Sequence, residues 1–78
     1  MREQLYIYTA LYVPSEDWWA AKVVEIPGVV TQGKTLEEAR ENLQDALEQM
    51  LEILREEAEE FGKGASNRIS EPIVLKAS

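Results

Sequence analysis

The sequence predicts an α+β domain of β-β-β-α-β order: an antiparallel three-stranded meander, one long helix on one sheet face, and a short parallel fourth strand. Three observations predict it. Leu5 to Val13 alternates with period two. Pro27-Gly28 separates two runs rich in β-branched residues. From Leu36 to Phe61, apolar residues recur at helical spacing.

In the first strand, Leu5, Ile7, Leu11 and Val13 fall on one face with Thr9, and Tyr6, Tyr8, Ala10 and Tyr12 on the other. Neither face is conspicuously polar, as expected of a strand covered on both sides. Pro14 to Asp17 reads as a turn. Trp18 to Ile26 is the second strand, and its adjacent tryptophans must point to opposite faces. Pro27 and Gly28 suit the central positions of a type II turn, where proline presets φ and glycine accepts a positive one. Val29 to Thr31 begins a third, shorter strand.

Thr35 with Glu38 forms a capping box, in which the Thr35 hydroxyl accepts from the Glu38 amide and the Glu38 carboxylate returns to the Thr35 amide. The stripe that follows is Leu36, Ala39, Leu43, Ala46, Leu47, Met50, Leu51, Leu54, Ala58 and Phe61, ending at Gly62 and Gly64. A helix of about 26 residues is roughly 39 Å long. The strands cover about two-thirds of that. Its last turns, Leu54 to Phe61, are therefore expected to overhang or to pack on another subunit. Pro72 to Lys76 reads as the fourth strand, returning parallel to the sheet. Residues 1–78 read as a single domain without repeats or low-complexity tracts.

A domain of 78 residues is near the lower limit for a self-sufficient core. Such domains draw on disulfides, metals or self-association. There is no Cys and no His, which removes disulfides, thiolate ligands and the commonest general base. A homodimer or homotetramer is the expectation that remains. The net charge is −7, and Thr35 to Phe61 holds ten acidic residues against Arg40 and Arg55, a local −8 that leaves +1 for the rest. This balance disfavours binding to nucleic-acid phosphates. No apolar run approaches the roughly 20 residues of a membrane span. A cytoplasmic location is expected.

Carboxylates are the abundant catalytic type, but metal-dependent nucleases of the RNase H kind need acids converging from a strand and a helix. The first strand carries none. Glu37, Glu41, Asp45, Glu48, Glu52 and Glu56 lie opposite the apolar stripe, as a solvated ridge. No cofactor and no catalytic or metal residue is therefore expected. Gly33 and Lys34 before the helix are too little for a phosphate loop, and Glu37 and Glu38 would repel an anion. Glu48, Glu52, Glu56 and Glu60 are like charges at i,i+4, each pair costing roughly 0.2–0.5 kcal/mol. Such a ridge fits either solubility or a basic partner. The tyrosines Tyr6, Tyr8 and Tyr12 are expected on the sheet face left over by the helix, and with Leu54 and Phe61 they form the expected oligomer interface.

The stretch "WWAAKVVEIPGVVTQGKTLEEARENLQDALEQML" resembles the N-terminal domain of the HicB-type antitoxins. The matching residues are Trp19 to Ala21, Ile26-Pro27-Gly28, Thr31 with Gly33, Thr35, Glu37-Glu38-Ala39, Asn42 and Ala46-Leu47. The family position after Pro-Gly is often Cys and is Val29 here, while Glu25 fits the acidic preference before the turn. The resemblance covers about Leu5 to Leu51. It implies a partly degraded RNase H-like fold without nuclease activity. It also implies a binding partner, a small basic HicA-type toxin that cleaves mRNA, together with dimeric or tetrameric self-association. Glu16, Asp17, Trp18 and Glu25 at the strand-loop rim are the expected partner contacts, while Pro27, Gly28, Gly33, Thr35, Glu38 and Asn42 are expected to be structural. Many members add a C-terminal DNA-binding domain, which a chain ending at Ser78 would lack. The alternative is a solitary homo-oligomeric or ligand-binding module with no toxin.

Overall fold

The computed structural model describes residues 8–73. Three antiparallel strands, β1 (Ala10–Pro14), β2 (Trp19–Val23) and β3 (Val30–Gly33), are followed by one helix, α1 (Leu36–Phe61). The sheet order is β1-β2-β3, and α1 packs across one face, as the meander-plus-helix reading expects. Tyr6 and the first residues of the expected first strand lie outside the described residues, as do Val74 to Lys76 of the expected fourth strand. Pro72 and Ile73 carry no strand pairing.

Strand ends differ from expectation for local reasons. A two-residue loop, Glu16-Asp17, closes the first hairpin, with the Ser15 amide donating to the Trp18 carbonyl at 2.7 Å. β2 stops at Val23 rather than Ile26, because two successive turns fold the chain back: Ile26 N–H donates to the Val23 carbonyl, and Val29 N–H to the Ile26 carbonyl. The second is the Pro-Gly turn, and Gly28 adopts φ of +95°, the left-handed value a type II turn demands. Ile26 is thereby folded onto the core instead of continuing the strand.

Register assigns the faces. Tyr12 stands opposite Ala21, which stands opposite Thr31; Pro14, Trp19 and Gly33 form the next row. These rows lie under α1. The buried core is Ala21, Val23 and Val29 from the sheet with Ala39 and Leu43 from the helix, and Tyr12, Trp19, Ile26, Ala46, Leu47 and Met50 surround it. Tyr8 and Tyr12 do not lie on the face away from the helix, where the sequence places them. Tyr12 packs against the core and Tyr8 lines the groove between β1 and α1, because the helix side of β1 is the one carrying Ala10 opposite Val23. The exposed rows are instead Leu11–Lys22–Val30 and Val13–Ala20–Gln32. The tryptophans are distinguished as well: Trp19 packs on the core and Trp18 is exposed.

The helix begins on its expected cap. Thr35 is extended, and its Oγ1 accepts from the Glu38 amide at 3.0 Å. The return bond differs from a capping box, since the Glu38 carboxylate accepts from the Lys34 amide, one residue earlier. β3 runs hard against this first turn. A Cβ on Gly33 would stand 2.5 Å from the Ala39 nitrogen and 2.9 Å from its Cα, so only a hydrogen fits there. Asn42, one turn further on, donates through Nδ2 to the Gln32 carbonyl at 2.8 Å and fixes helix to strand. α1 then crosses toward the Pro-Gly turn, where Met50 lies close to Gly28. Beyond that point no strand of the described residues lies beneath it. Ile53, Leu54 and Phe61 are exposed, Phe61 almost completely at 95%.

Replacing Gly33 with alanine forces backbone apart at a site with no flexible neighbour. A loss of about 3 kcal/mol is expected, at the upper end for overpacking. Thermal unfolding monitored by circular dichroism checks it, and an unchanged midpoint would refute the close-approach argument.

Candidate functional site

Two of the four expected partner contacts, Glu16 and Asp17, form the tip of the β1-β2 hairpin, and Trp18 adjoins them; all three are exposed. Glu25 lies at the other end of β2. The five residues of β2 between them span about 13 Å at 3.3 Å per residue. The structure therefore divides the expected rim into two ends rather than gathering it.

At its end, Glu25 is occupied by Thr9. Its carboxylate accepts from the Thr9 amide at 2.8 Å and from the Thr9 hydroxyl at 2.6 Å. These bonds, the hydroxyl first, favour the charged form and hold the Glu25 carboxyl below its ordinary value. The Val24 amide donates to the Thr9 carbonyl at 2.9 Å, so the pair latches the start of β1 to the end of β2. Thr9 was visible in the sequence only as a polar residue among aliphatic ones. Its pairing with Glu25, sixteen residues on, depends on hairpin register.

The helix side of β1 is incompletely covered, because α1 lies over β2 and β3. A groove of about 430 Å³ remains, with Tyr8 and Tyr12 on one wall and Arg40, Gln44 and Glu48 on the other. The Arg40 guanidinium sits 5.8 Å from the Tyr12 ring centroid, a cation–π contact worth about 0.5–1 kcal/mol at an exposed site. This contact follows from where α1 crosses, and strand and helix patterns read separately do not reveal it.

The third feature is the projecting half of α1. Glu48, Glu52, Glu56, Glu57, Glu59 and Glu60 are all exposed, with Ile53, Leu54 and Phe61 exposed among them. The last turn carries no basic residue to offset the helix dipole. The one ion pair found among the described residues, Arg68 to Glu59 at 3.2 Å, is half exposed and contributes little. No three His, Cys, Asp or Glu among the described residues are grouped to hold a metal ion. No helix there is long and apolar enough to cross a membrane.

A family model described as UPF0150-like matches residues 6–58, well over half of the chain. The chain belongs to the UPF0150-like family. The match takes in all three strands and most of α1, including the Gly33–Ala39 contact and the Asn42 bond. A UPF0150 protein of Thermotoga maritima is 44% identical over 48 residues, which are 59% of this chain and 64% of that relative. The chain thus spans somewhat under two-thirds of the length of the curated relative it matches. No solved structure matches this UPF0150-like chain.

The Glu25 latch has a defined pH dependence. A carboxyl whose folded pKa is lowered contributes stability above its unfolded pKa, near pH 4.3, and loses that contribution as pH falls through the folded value. Glu25→Gln is therefore expected to lower the unfolding midpoint at neutral pH. The gap from the unaltered protein should close as pH falls below about 4.3 and through the lowered folded value. Because the two proteins differ only at this side chain, the gap isolates Glu25. A gap independent of pH would contradict the latch.

Proposed function

We propose that this UPF0150-like protein is a HicB-like, antitoxin-type binder, non-enzymatic and cytoplasmic, that covers a small basic HicA-type mRNA-cleaving toxin by direct contact. The observation that carries the proposal is the projecting half of α1, where exposed acidic residues and exposed Ile53, Leu54 and Phe61 share one element. Charge of this density speeds encounter with a basic partner. Large apolar side chains among those charges supply the desolvated centre that holds a complex together. The resemblance to HicB-type antitoxins adds the partner class, and family membership is compatible with it.

The mechanism is steric and electrostatic. A basic, RNA-binding face docked on the acidic helix is shielded from phosphate. Docking also relieves the like-charge spacing of Glu48, Glu52, Glu56 and Glu60, each pair of which costs roughly 0.2–0.5 kcal/mol in the free helix. Leu54 and Phe61 act in this reading as partner contacts. The hairpin tip, Glu16, Asp17 and Trp18, is a second contact at the opposite end. Glu25 contributes through Thr9, by holding the strand ends in place.

A second reading, a solitary homo-oligomeric module without a toxin, is favoured by the small core: five buried hydrophobic residues among the described residues, in a chain without cysteine.

Co-expression with an adjacent small basic open reading frame separates the two. The proposal expects co-purification and relief of growth arrest. In the variant carrying Glu52→Lys, Glu56→Lys and Glu60→Lys, association should slow at least about tenfold, and added salt should slow it in the unaltered protein. Failure to co-purify, or association indifferent to the three reversals, would count against it.

A further inference from the structure

Beyond Phe61 the chain turns back on the helix it has just left. The Gly62 amide donates to the Ala58 carbonyl at 3.1 Å and the Lys63 amide to the Glu60 carbonyl at 3.2 Å, which closes α1. The Ala65 amide then donates to the Gly62 carbonyl at 3.2 Å, and Gly64 takes a positive φ of 85°, which reverses the direction. Arg68 is thereby returned to Glu59, nine positions earlier. Its Nη2 donates to both oxygens of the Glu59 carboxylate, each at 3.2 Å. The side chain reaches there across Gly62: a Cβ on that glycine would stand 2.7 Å from Nη1 and 3.2 Å from Cδ of Arg68. The guanidinium occupies space that a side chain at position 62 would fill. A hollow of about 750 Å³ opens beside the pair, with Arg55, Glu56, Glu60 and Lys63 on its walls.

Charge explains why a cation is drawn to this place. Glu56, Glu57, Glu59 and Glu60 crowd the last turns of α1, at the end where the helix dipole is itself negative. No basic residue of the last turn offsets them, so the compensating cation comes from beyond the helix. We propose that the returning segment is an intramolecular clasp. Arg68, seated on Glu59 across Gly62, occupies the acidic end of α1 in the free chain and competes there with the basic side chains of a partner. That the natural competitor is a basic protein rests on the reading of α1 as a binding face; the clasp itself rests on the contacts of Arg68.

The contact suits this role because it is weak. The two side chains are half and two-thirds exposed, and an exposed pair is made only about one to five times as often as it is broken. Arg68 therefore holds its place without locking it. A basic ligand that needs Glu59 binds the open form, so the clasp weakens its binding about two- to sixfold. The consequence is selectivity by reach. A small cation that depends on Glu59 meets competition for its whole site. An extended basic face that also engages Glu48, Glu52 and Glu56 is opposed at one end alone.

An amide-resolved NMR titration of the full chain with hexalysine at low salt, followed at Glu59 to Lys63, tests it. Arg68→Ala should tighten binding at this end about two- to sixfold. Gly62→Ala should do the same without changing the net charge, since the added methyl displaces the guanidinium while the φ of −91° suits alanine. Lys63→Ala removes a charge from the same hollow but breaks no ion pair found among the described residues, and should tighten binding less. In a Glu59→Gln background, Arg68→Ala should give no further gain. A Gly62→Ala chain that binds hexalysine no better than the unaltered one would overturn the proposal. So would a gain from Lys63→Ala equal to that from Arg68→Ala, which would reduce Arg68 to its charge alone. Absence of hexalysine binding at these amides in every variant would overturn it as well. The toxin is not needed for this result. A chain that passes here but captures no basic protein keeps the clasp and loses the toxin reading, and a chain that captures a toxin but fails here does the reverse.

Discussion

The contact on which the rest depends is the one between Gly33 and the first turns of the helix. Strand and helix backbones approach so closely there that a single added carbon would meet the Ala39 nitrogen at 2.5 Å. Ala39 itself is fully buried. Nothing larger than hydrogen is tolerated at one position, and a methyl group fills the other. The Thr35 cap starts the helix at this spot, Glu38 turns back to the Lys34 amide, and Asn42 holds the Gln32 carbonyl one turn later. Together they determine where α1 begins and the line along which it leaves.

That line has consequences at both ends of the molecule. Because α1 is seated over β3 and β2, the core is confined to its first half, with Ala39 and Leu43 buried and Met50 meeting the Pro-Gly turn. A helix of 26 residues outlasts a sheet of five-residue strands, and among the described residues its last turns meet only the exposed Arg68–Glu59 pair. The ten acidic residues are shared equally, five on the first half and five on the second. Packing and exposure thus separate along one element: the first half is docked on the sheet, and the second half is exposed.

Most of this order is legible in the sequence because it rests on local signals. The Pro-Gly turn, the Thr35 cap, the helical stripe and the overhang at Leu54 to Phe61 each follow from spacing within a few residues. What failed needed three-dimensional register. The faces of β1 were separated correctly into Leu11 with Val13 and Tyr8 with Tyr12, but both faces are apolar, so alternation could not say which one lies under the helix. The pairing of Ala10 with Val23 and of Tyr12 with Ala21 decides it. The expected second strand, Trp18 to Ile26, overruns the observed β2 at both ends, since Val24 and Ile26 have strand propensity but lie in consecutive turns. The bond from Thr9 to Glu25 is not legible in the sequence, because the two are distant along the chain and near only after the hairpin closes.

The central claim is that α1 is docked through its first half and unsupported through its second. Native-state amide hydrogen exchange along the helix measures this directly, since protection follows local opening free energy. In the free protein, amides from Leu43 to Leu47 should exchange slowly, near the global unfolding limit, and those from Ile53 to Glu60 much faster. Uniform slow exchange along the whole helix would contradict the account, because it would require the projecting half to be packed as firmly as the half that lies on the sheet.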